Sequence, residues 1–192
     1  MQVSLFDEPG PARDLPPGLR YQADLIDAGE EASLIRHFET LEFKPFAFQG
    51  WEGKRETVSF GWRYDFNESR VSPAPPIPAF LLPLREHAAA FAGIAVSALE
   101  QALVVRYDVG AGIGWHRDRP VFQDVIGVSL LAPCVMRFRR RDGRAFRRFG
   151  LPLEPRSAYL LSGEARHEWE HSIVPMIAPR FSVTFRSRTR EG

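Results

Sequence analysis

The pattern of apolar and polar positions divides the chain into a helical first half and a strand-rich second half. Leu34, Ile35, Phe38 and Leu41 fall on one helical face behind Asp27, a favourable N-cap, which predicts a helix running to about Phe43. A second helix is predicted over Ala79–Leu99, introduced by "PAPPIP" and with Pro83 confined to its first turn. Beyond it the apolar period shortens from about 3.6 residues to about 2. The stretches 102–108, 126–132, 134–140, 144–149, 157–163 and 180–188 are rich in β-branched and aromatic residues, with turn residues between them. Asp142-Gly143 predicts a two-residue hairpin turn. Helices followed by a run of strands predict an α+β fold, with N-terminal helices buttressing an antiparallel sheet or barrel. Residues 7–18, "DEPGPARDLPPG", are mostly Pro, Gly and charge. They predict a flexible lead over 1–18, leaving 19–192 as one domain.

Composition narrows this picture. At 192 residues and 44% hydrophobic content the chain can bury a sizeable core. No apolar run approaches the roughly 18 residues of a membrane span, and the N-terminus lacks a basic-then-apolar leader. Cys134 stands alone, so no intramolecular disulfide forms, and a reducing cytoplasm is expected. The net charge of +1 conceals an asymmetry: residues 1–100 carry 9 Lys/Arg against 15 Asp/Glu, and residues 101–192 carry 16 against 9. The second half therefore suits an anionic partner.

Candidate chemistry centres on "GWHRDRPVFQD", residues 114–124. His-Arg-Asp occurs in protein kinases, but the Gly-rich loop, strand lysine and DFG that a kinase needs are absent. A metal site is the second reading, since His116 and Asp118 point to one side of an extended segment. His171 follows 55 residues later, and two histidines with one carboxylate form the facial triad of non-haem iron enzymes. Polar punctuation after a strand is the third. In "RFSVTFR", alternation puts Arg180, Ser182, Thr184 and Arg186 on one face and Phe181, Val183 and Phe185 on the other. Two arginines facing an interior need anions, and a dicarboxylate between them and a metal supplies those. Tyr107 shares a face with Val105 and Leu103 and offers a hydroxyl to the same ligand.

Together "RYDVGAGIGWHRD", "LSGEARHEWEHSIVP" and "RFSVTFR" resemble the AlkB-type branch of the Fe(II)- and 2-oxoglutarate-dependent dioxygenases, in order and spacing, over about residues 55–187. The resemblance implies a double-stranded β-helix (jelly roll), with Fe(II) on His116, Asp118 and His171. It implies 2-oxoglutarate held by Arg180, Tyr107 and Ser182, with Arg186 near its metal-bound end. It also implies O2 as oxidant, and oxidative removal of alkyl groups from nucleobases. Val105 and Ser182 stand where AlkB-type repair enzymes commonly carry Asn. "LEPRSAYLLSGEARHEW" is closer to tRNA-modifying and protein-directed relatives, which leaves the substrate open.

Alkylated nucleic acid, DNA ahead of RNA, is the expected partner. "FQGWEGKRETVSFGWRYDF" (48–66) interleaves aromatics with basic residues and resembles a nucleotide-recognition lid, offering Trp51, Arg55, Phe60, Trp62 and Tyr64 to a flipped base. The alternative is a hairpin whose aromatics fill the core. "RFRRRDGRAFRR" (137–148) offers Arg139, Arg140, Arg141 and Arg144 to a phosphate backbone, or is simply a solvated hairpin. Trp115, Arg117 and Arg119 flank the ligands in either a substrate or a structural role. His37, His87 and His167 read as structural. "QVSLF" (2–6) resembles the pentapeptide by which bacterial repair proteins dock on the sliding clamp, through Gln2, Leu5 and Phe6; the alternative is a packed N-terminal strand. Three other functions stay open: a hydroxylase of tRNA, one of protein or a small molecule, and a non-catalytic nucleic-acid-binding module.

Overall fold

The computed structural model describes residues 15–48, 51–65 and 70–189, apart from the side chains of 46–48, 51–53 and 65. Gln2, Leu5 and Phe6 and the ring of Trp51 lie outside the described residues.

The first strand, β1 (Leu19–Gln22), leads into helix α1 (Ala28–Phe38). A capping box opens α1: the Glu30 amide donates to Asp27 Oδ1 at 2.8 Å, and the Asp27 amide donates to Glu30 Oε2 at 3.0 Å. The helix ends at Phe38 rather than Phe43. There the amides of Thr40 and Leu41 turn back onto the carbonyls of His37 and Phe38, and Leu41 and Phe43 reach the core from the turn. Next come β2 (Lys44–Phe48), β3 (Trp51–Phe60), β4 (Trp62–Asp65) and β5 (Arg70–Pro73). The second helix, α2, spans only Leu82–Ala92, after a 3-10 turn at Ala79–Leu81 and with Pro83 in its first turn. Gly93, at φ +73°, stops it in a left-handed cap, and Leu99 already belongs to a strand.

The remaining strands are β6 (Leu99–Tyr107), β7 (Ile113–His116), β8 (Phe122–Leu130), β9 (Cys134–Asp142), β10 (Ala145–Leu153), β11 (Ala158–Leu161), β12 (Glu170–Ile173) and β13 (Arg180–Arg188), with the short helix α3 (Gly163–His167) after β11. The hairpin turn between β9 and β10 is Gly143–Arg144, one residue later than expected. Asp142 pairs with Ala145, and Gly143 takes φ +58° at the first central position.

A seven-stranded antiparallel sheet, in the order β1-β11-β8-β13-β6-β3-β2, faces a four-stranded sheet, β10-β9-β12-β7. This is the jelly-roll architecture. Phe181, Val183 and Phe185 point from β13 to the outer face of the large sheet, where they pack with Leu34 and Phe38 of α1 and Leu84 and Ala88 of α2. The helices therefore buttress the sheet from outside, as expected. Between the sheets, Met136, Phe138, Leu151 and Leu153 meet Val125, Tyr159, Leu161 and Trp169. Among the described residues no helix is long and apolar enough to cross a membrane.

Two aromatics expected to meet substrate do not. Phe60 is 8% exposed inside the helix-side core, because alternation along β3 turns it away from Thr57 and Ser59, which face the cavity. Trp62 lies off the cavity under the Arg188 guanidinium, 4.7 Å from its ring centroid. Phe60→Ala is expected to lower the unfolding free energy by about 3–5 kcal/mol, as for a large aromatic removed from a packed core. Urea denaturation followed by circular dichroism reads that loss, and a change under about 1 kcal/mol would return Phe60 to the surface.

Candidate active site

One cavity of about 600 Å³ opens between the two sheets, within the range of small-molecule sites. Strand register decides what lines it, since directly opposed residues of an antiparallel pair share a face. Across the large sheet Arg180 stands opposite Tyr107, and Ser182 stands between Ser129 and Val105. Further along β13, Thr184 lies between Gly127 and Leu103, and Arg186 between Val125 and Gln101. Arg180, Ser182, Thr184 and Arg186 all line the cavity, as alternation predicts. On the small sheet His116 of β7 is directly opposite His171 of β12, with ring centroids 4.3 Å apart. Residues 55 apart in sequence are thus cross-strand neighbours.

Asp118 follows on the loop after β7. That loop is pinned by Arg166 of α3, which is 3% exposed and donates to the carbonyls of Arg119 at 2.6 Å and Phe122 at 2.8 Å. From the other side, Thr189 holds the carbonyls of Pro120 and Val121. So fixed, the Asp118 carboxylate divides its oxygens. Oδ1 accepts from Arg186 Nη2 at 2.9 Å, and Oδ2 lies 3.7 Å from His171 Nε2. Burial pushes this carboxyl up, but Arg186 and the two imidazoles outweigh it and hold Asp118 well below the usual carboxylate range. Burial drives His171 down to about 3 and lowers His116 as well. At neutral pH the wall is therefore two neutral imidazoles and one carboxylate, each in the state that ligates a metal.

The nitrogens are sorted for the same purpose. His116 Nδ1 is 2.9 Å from the Gly114 carbonyl, to which it donates, leaving Nε2 as the lone-pair nitrogen. His171 Nδ1 is buried without a partner. Among the described residues no three or more His, Cys, Asp and Glu side chains are already closed into a metal-holding cluster, so drawing these donors onto one ion takes side-chain rotation. The donor chemistry fits divalent iron.

Deeper in the cavity Arg180 is 1% exposed. Its Nε donates to Ser129 Oγ at 3.1 Å, and its guanidinium lies 5.0 Å from the Tyr107 ring centroid. Nη1 of Arg180 and Nε of Arg186 are buried without hydrogen-bond partners. Buried guanidinium donors left unmet fit an anion with two carboxylates.

Of the lid residues Arg55 and Tyr64 line the cavity, and the Arg119 guanidinium stacks 5.2 Å from the Tyr64 ring centroid. Arg117 is tied to the His167 carbonyl at 2.9 Å, and Trp115 stands on the cavity rim. Outside the site, His37 stacks on Phe80 and His87 meets Glu30, in structural roles.

The hairpin arginines separate by face. Arg137, Arg139, Arg141 and Arg148 share one side of β9–β10 with Phe146, while Arg140 and Arg147 share the other. Arg140 is engaged by Glu164 at 2.6 Å and Glu168 at 3.3 Å, which removes it from the expected phosphate-tracking set. Arg139 pairs with Glu170 at 2.6 Å. Arg141 is exposed beside the Phe146 ring, and Arg144 is exposed at the turn.

Sequence reasoning missed Gln101, Tyr159 and Arg166. Gln101 is 3% exposed and links Arg186, at 3.0 Å, to the Trp62 carbonyl, at 3.0 Å. The one available signal was Gly127 inside an apolar strand, which marks a close approach. Tyr159 makes that approach.

Comparison with known proteins agrees with this geometry. Residues 18–186 match the 2OG-Fe(II) oxygenase superfamily. The chain is 29% identical over 181 residues to the alkylated DNA repair protein ALKBH8 homolog of Arabidopsis thaliana, covering 82% of this chain and 51% of that protein. It is 28% identical over 173 residues to the tRNA (carboxymethyluridine(34)-5-O)-methyltransferase ALKBH8 of Mus musculus, covering 84% and 25%. The chain thus spans about half the length of the first relative and a quarter of the second. The structure of OsALKBH1 superposes with a TM-score of 0.67 at 16% identity, over 91% of this chain and 98% of that one. A prolyl-4-hydroxylase of Pseudomonas putida superposes with 0.61 at 16% identity, over 91% and 94%. The chain belongs to the 2OG-Fe(II) oxygenase superfamily, whose members use Fe(II), 2-oxoglutarate and O2, and it stands there beside AlkB homologues.

Proposed function

We propose that this chain removes alkyl groups oxidatively from nucleobases and serves DNA repair in the cytoplasm. One observation carries the reading: the cavity lined by the His116–Asp118–His171 wall is lined as well by Arg55, Tyr64 and Trp115. His116, Asp118 and His171 would hold Fe(II), which with O2 and 2-oxoglutarate supplies oxidation of a C–H bond, leaving succinate and CO2. Arg180, Tyr107 and Ser182 receive the distal carboxylate of the cosubstrate. Arg186 steadies Asp118, and Arg166 keeps the loop beneath it closed. An N-methyl group hydroxylated there collapses to formaldehyde and the unmodified nitrogen. Tyr64 and Arg55 offer flat groups against which an extruded base can stack.

The hairpin supports a polyanionic substrate. Arg139 faces Arg148 directly across β9–β10, a like-charge pairing that disfavours the hairpin unless an anion covers it. Among the described residues Glu170 forms an ion pair with Arg139 alone, and Arg141 and Arg148 stack on the Phe146 ring, each 5.3 Å from its centroid. Trp115 joins this face to the cavity rim, 4.5 Å below the Arg139 guanidinium. Guanidinium groups interleaved with aromatic rings match a single strand's phosphates and bases.

A second reading, oxidation of a tRNA base, is favoured by relatives whose names specify tRNA. The N-terminal QVSLF would tether the enzyme to the sliding clamp through Gln2, Leu5 and Phe6.

With Fe(II), 2-oxoglutarate and O2, single-stranded DNA carrying 1-methyladenine or 3-methylcytosine is expected to yield formaldehyde and succinate in equal amounts, both lost in His116→Ala. Succinate released only with tRNA would replace DNA by the second reading, and no succinate with either would reject both. Arg141→Ala with Arg148→Ala should weaken oligonucleotide binding about tenfold and flatten its salt dependence, whereas Arg147→Ala should change it little; equal effects from both faces would remove the hairpin from the interface. Deleting residues 1–8 should abolish capture on immobilised clamp and spare turnover of free oligonucleotide. Unaltered capture would discard the tether.

A further inference from the structure

Gln101 carries a buried amide that no step of the proposed reaction uses. It lies on β6, directly opposite Arg186 of β13 and one residue past the end of the β3–β6 ladder, which stops at Phe60 opposite Ala102. From there the chain turns at Gly61 into β4, which pairs with β5 in a ribbon of its own. The strand that carries Tyr64 to the cavity is therefore seated on the large sheet by contacts other than a ladder. Two of them stand at its base. Gly61 takes φ +75° and lies so close on β6 that a Cβ would run into the Glu100 carbonyl oxygen. The next carbonyl, that of Trp62, accepts from the Gln101 amide nitrogen at 3.0 Å.

Donor chemistry fixes how the amide is turned. A guanidinium only donates and a carbonyl only accepts, so the Gln101 oxygen faces Arg186 Nη1, at 3.0 Å, and its nitrogen faces Trp62. The second nitrogen of the same guanidinium, Nη2, donates to Asp118 Oδ1 at 2.9 Å. Two planar groups, an amide and a guanidinium, thus lie in series between the backbone of β4 and the carboxylate of the metal wall. An apolar side chain at 101 would leave a donor on Arg186 and an acceptor on Trp62 without their partner.

We infer that Gln101 is a positioning residue that joins the lid strand to the metal wall: seated by the Trp62 carbonyl, its amide holds Arg186 in the orientation that aims the Asp118 carboxylate. The inference rests on the reading of His116, Asp118 and His171 as metal ligands. It makes metal affinity depend on residues that neither ligate the metal nor line the cavity. Gly61 is the clearest of these, because its backbone decides where the Trp62 carbonyl stands.

The test is titration of Mn(II) into the full chain without cosubstrate. Co(II) absorption gives a second reading of the ligand sphere, and thermal melting by circular dichroism checks the fold. Gln101→Met keeps length and shape and removes both hydrogen bonds. It should raise the Kd for Mn(II) about tenfold and shift the Co(II) spectrum, as for loss of an outer partner of a ligating carboxylate. Gly61→Ala, outside the cavity, should lift the lid strand from β6 and weaken Mn(II) by a similar factor. Trp62→Leu, which removes the ring under Arg188 and keeps the carbonyl, should leave both readings unchanged. Unaltered Mn(II) affinity and Co(II) spectrum in folded Gln101→Met would overturn the inference, whatever Gly61→Ala does. Equal losses in Gly61→Ala and Trp62→Leu would overturn it too, since any disturbance of the lid strand would then act alike. Wild-type protein that binds neither ion would instead remove the metal reading itself.

Discussion

Buried positive charge is the constraint on which the interior of this fold depends. Arg180 and Arg186 project from one strand into the cavity, and of the two it is Arg186 that the Asp118 carboxylate meets. Removing a charge from water costs several kcal/mol unless a partner replaces the lost hydration. Among the described residues Arg180 has only the Ser129 hydroxyl and the face of Tyr107. An opposite charge about 4 Å away returns roughly 4 kcal/mol at a dielectric near 20. A dianion spanning both arginines therefore relieves a cost that is built into the scaffold.

The same constraint explains why so much surrounding structure serves to hold loops. Asp118 must face a cation on one side and an imidazole on the other, yet it sits beyond the end of β7, where no ladder fixes it. Arg166 and Thr189 substitute for the ladder by taking the loop's carbonyls. Gln101 does the same for Arg186, using one amide to fix the guanidinium and to bind the Trp62 carbonyl at the base of β4. A hydrogen-bonded path thus runs from the lid's backbone to the carboxylate of the metal wall.

What was legible in the sequence was what period two encodes. The split of β13 into Arg180, Ser182, Thr184 and Arg186 inside and Phe181, Val183 and Phe185 outside follows from alternation, and its bounds, 180–188, matched the observed strand. His116, Asp118 and His171 were readable because their chemistry is distinctive, though their meeting depended on the register of β7 against β12, which no local pattern fixes. Helix lengths were overcalled because their last apolar residues, Leu41 and Leu99, are buried from a turn and from a strand, and burial does not reveal the backbone that achieves it. Phe60 and Trp62 misled for a related reason. An aromatic in a basic segment looks the same whether it faces a ligand or the core, and only the phase of β3 separates them. Arg140 was lost to Glu164 and Glu168, which reach it from α3 and the residue after it, so nothing local to the hairpin reveals the pairing.

The phase of a strand also distinguishes the two arginine populations of the chain. Inside, Arg180 and Arg186 are separated by six positions, an even number, so both face the cavity. On the β9–β10 hairpin, even spacing puts Arg137, Arg139 and Arg141 on one side, and cross-strand pairing adds Arg148. The first pair is desolvated, rigid and suited to one small dianion. In the second group Arg137, Arg141 and Arg148 are exposed and Arg139 half-buried, with guanidinium groups stacked on Phe146 and Trp115, an arrangement suited to a repeating anion at water-screened distances. One residue type and one rule of alternation therefore give two arginine groups of different character, and under the proposed function the Trp115 rim where they meet is where a polyanionic strand would deliver a base to the cavity.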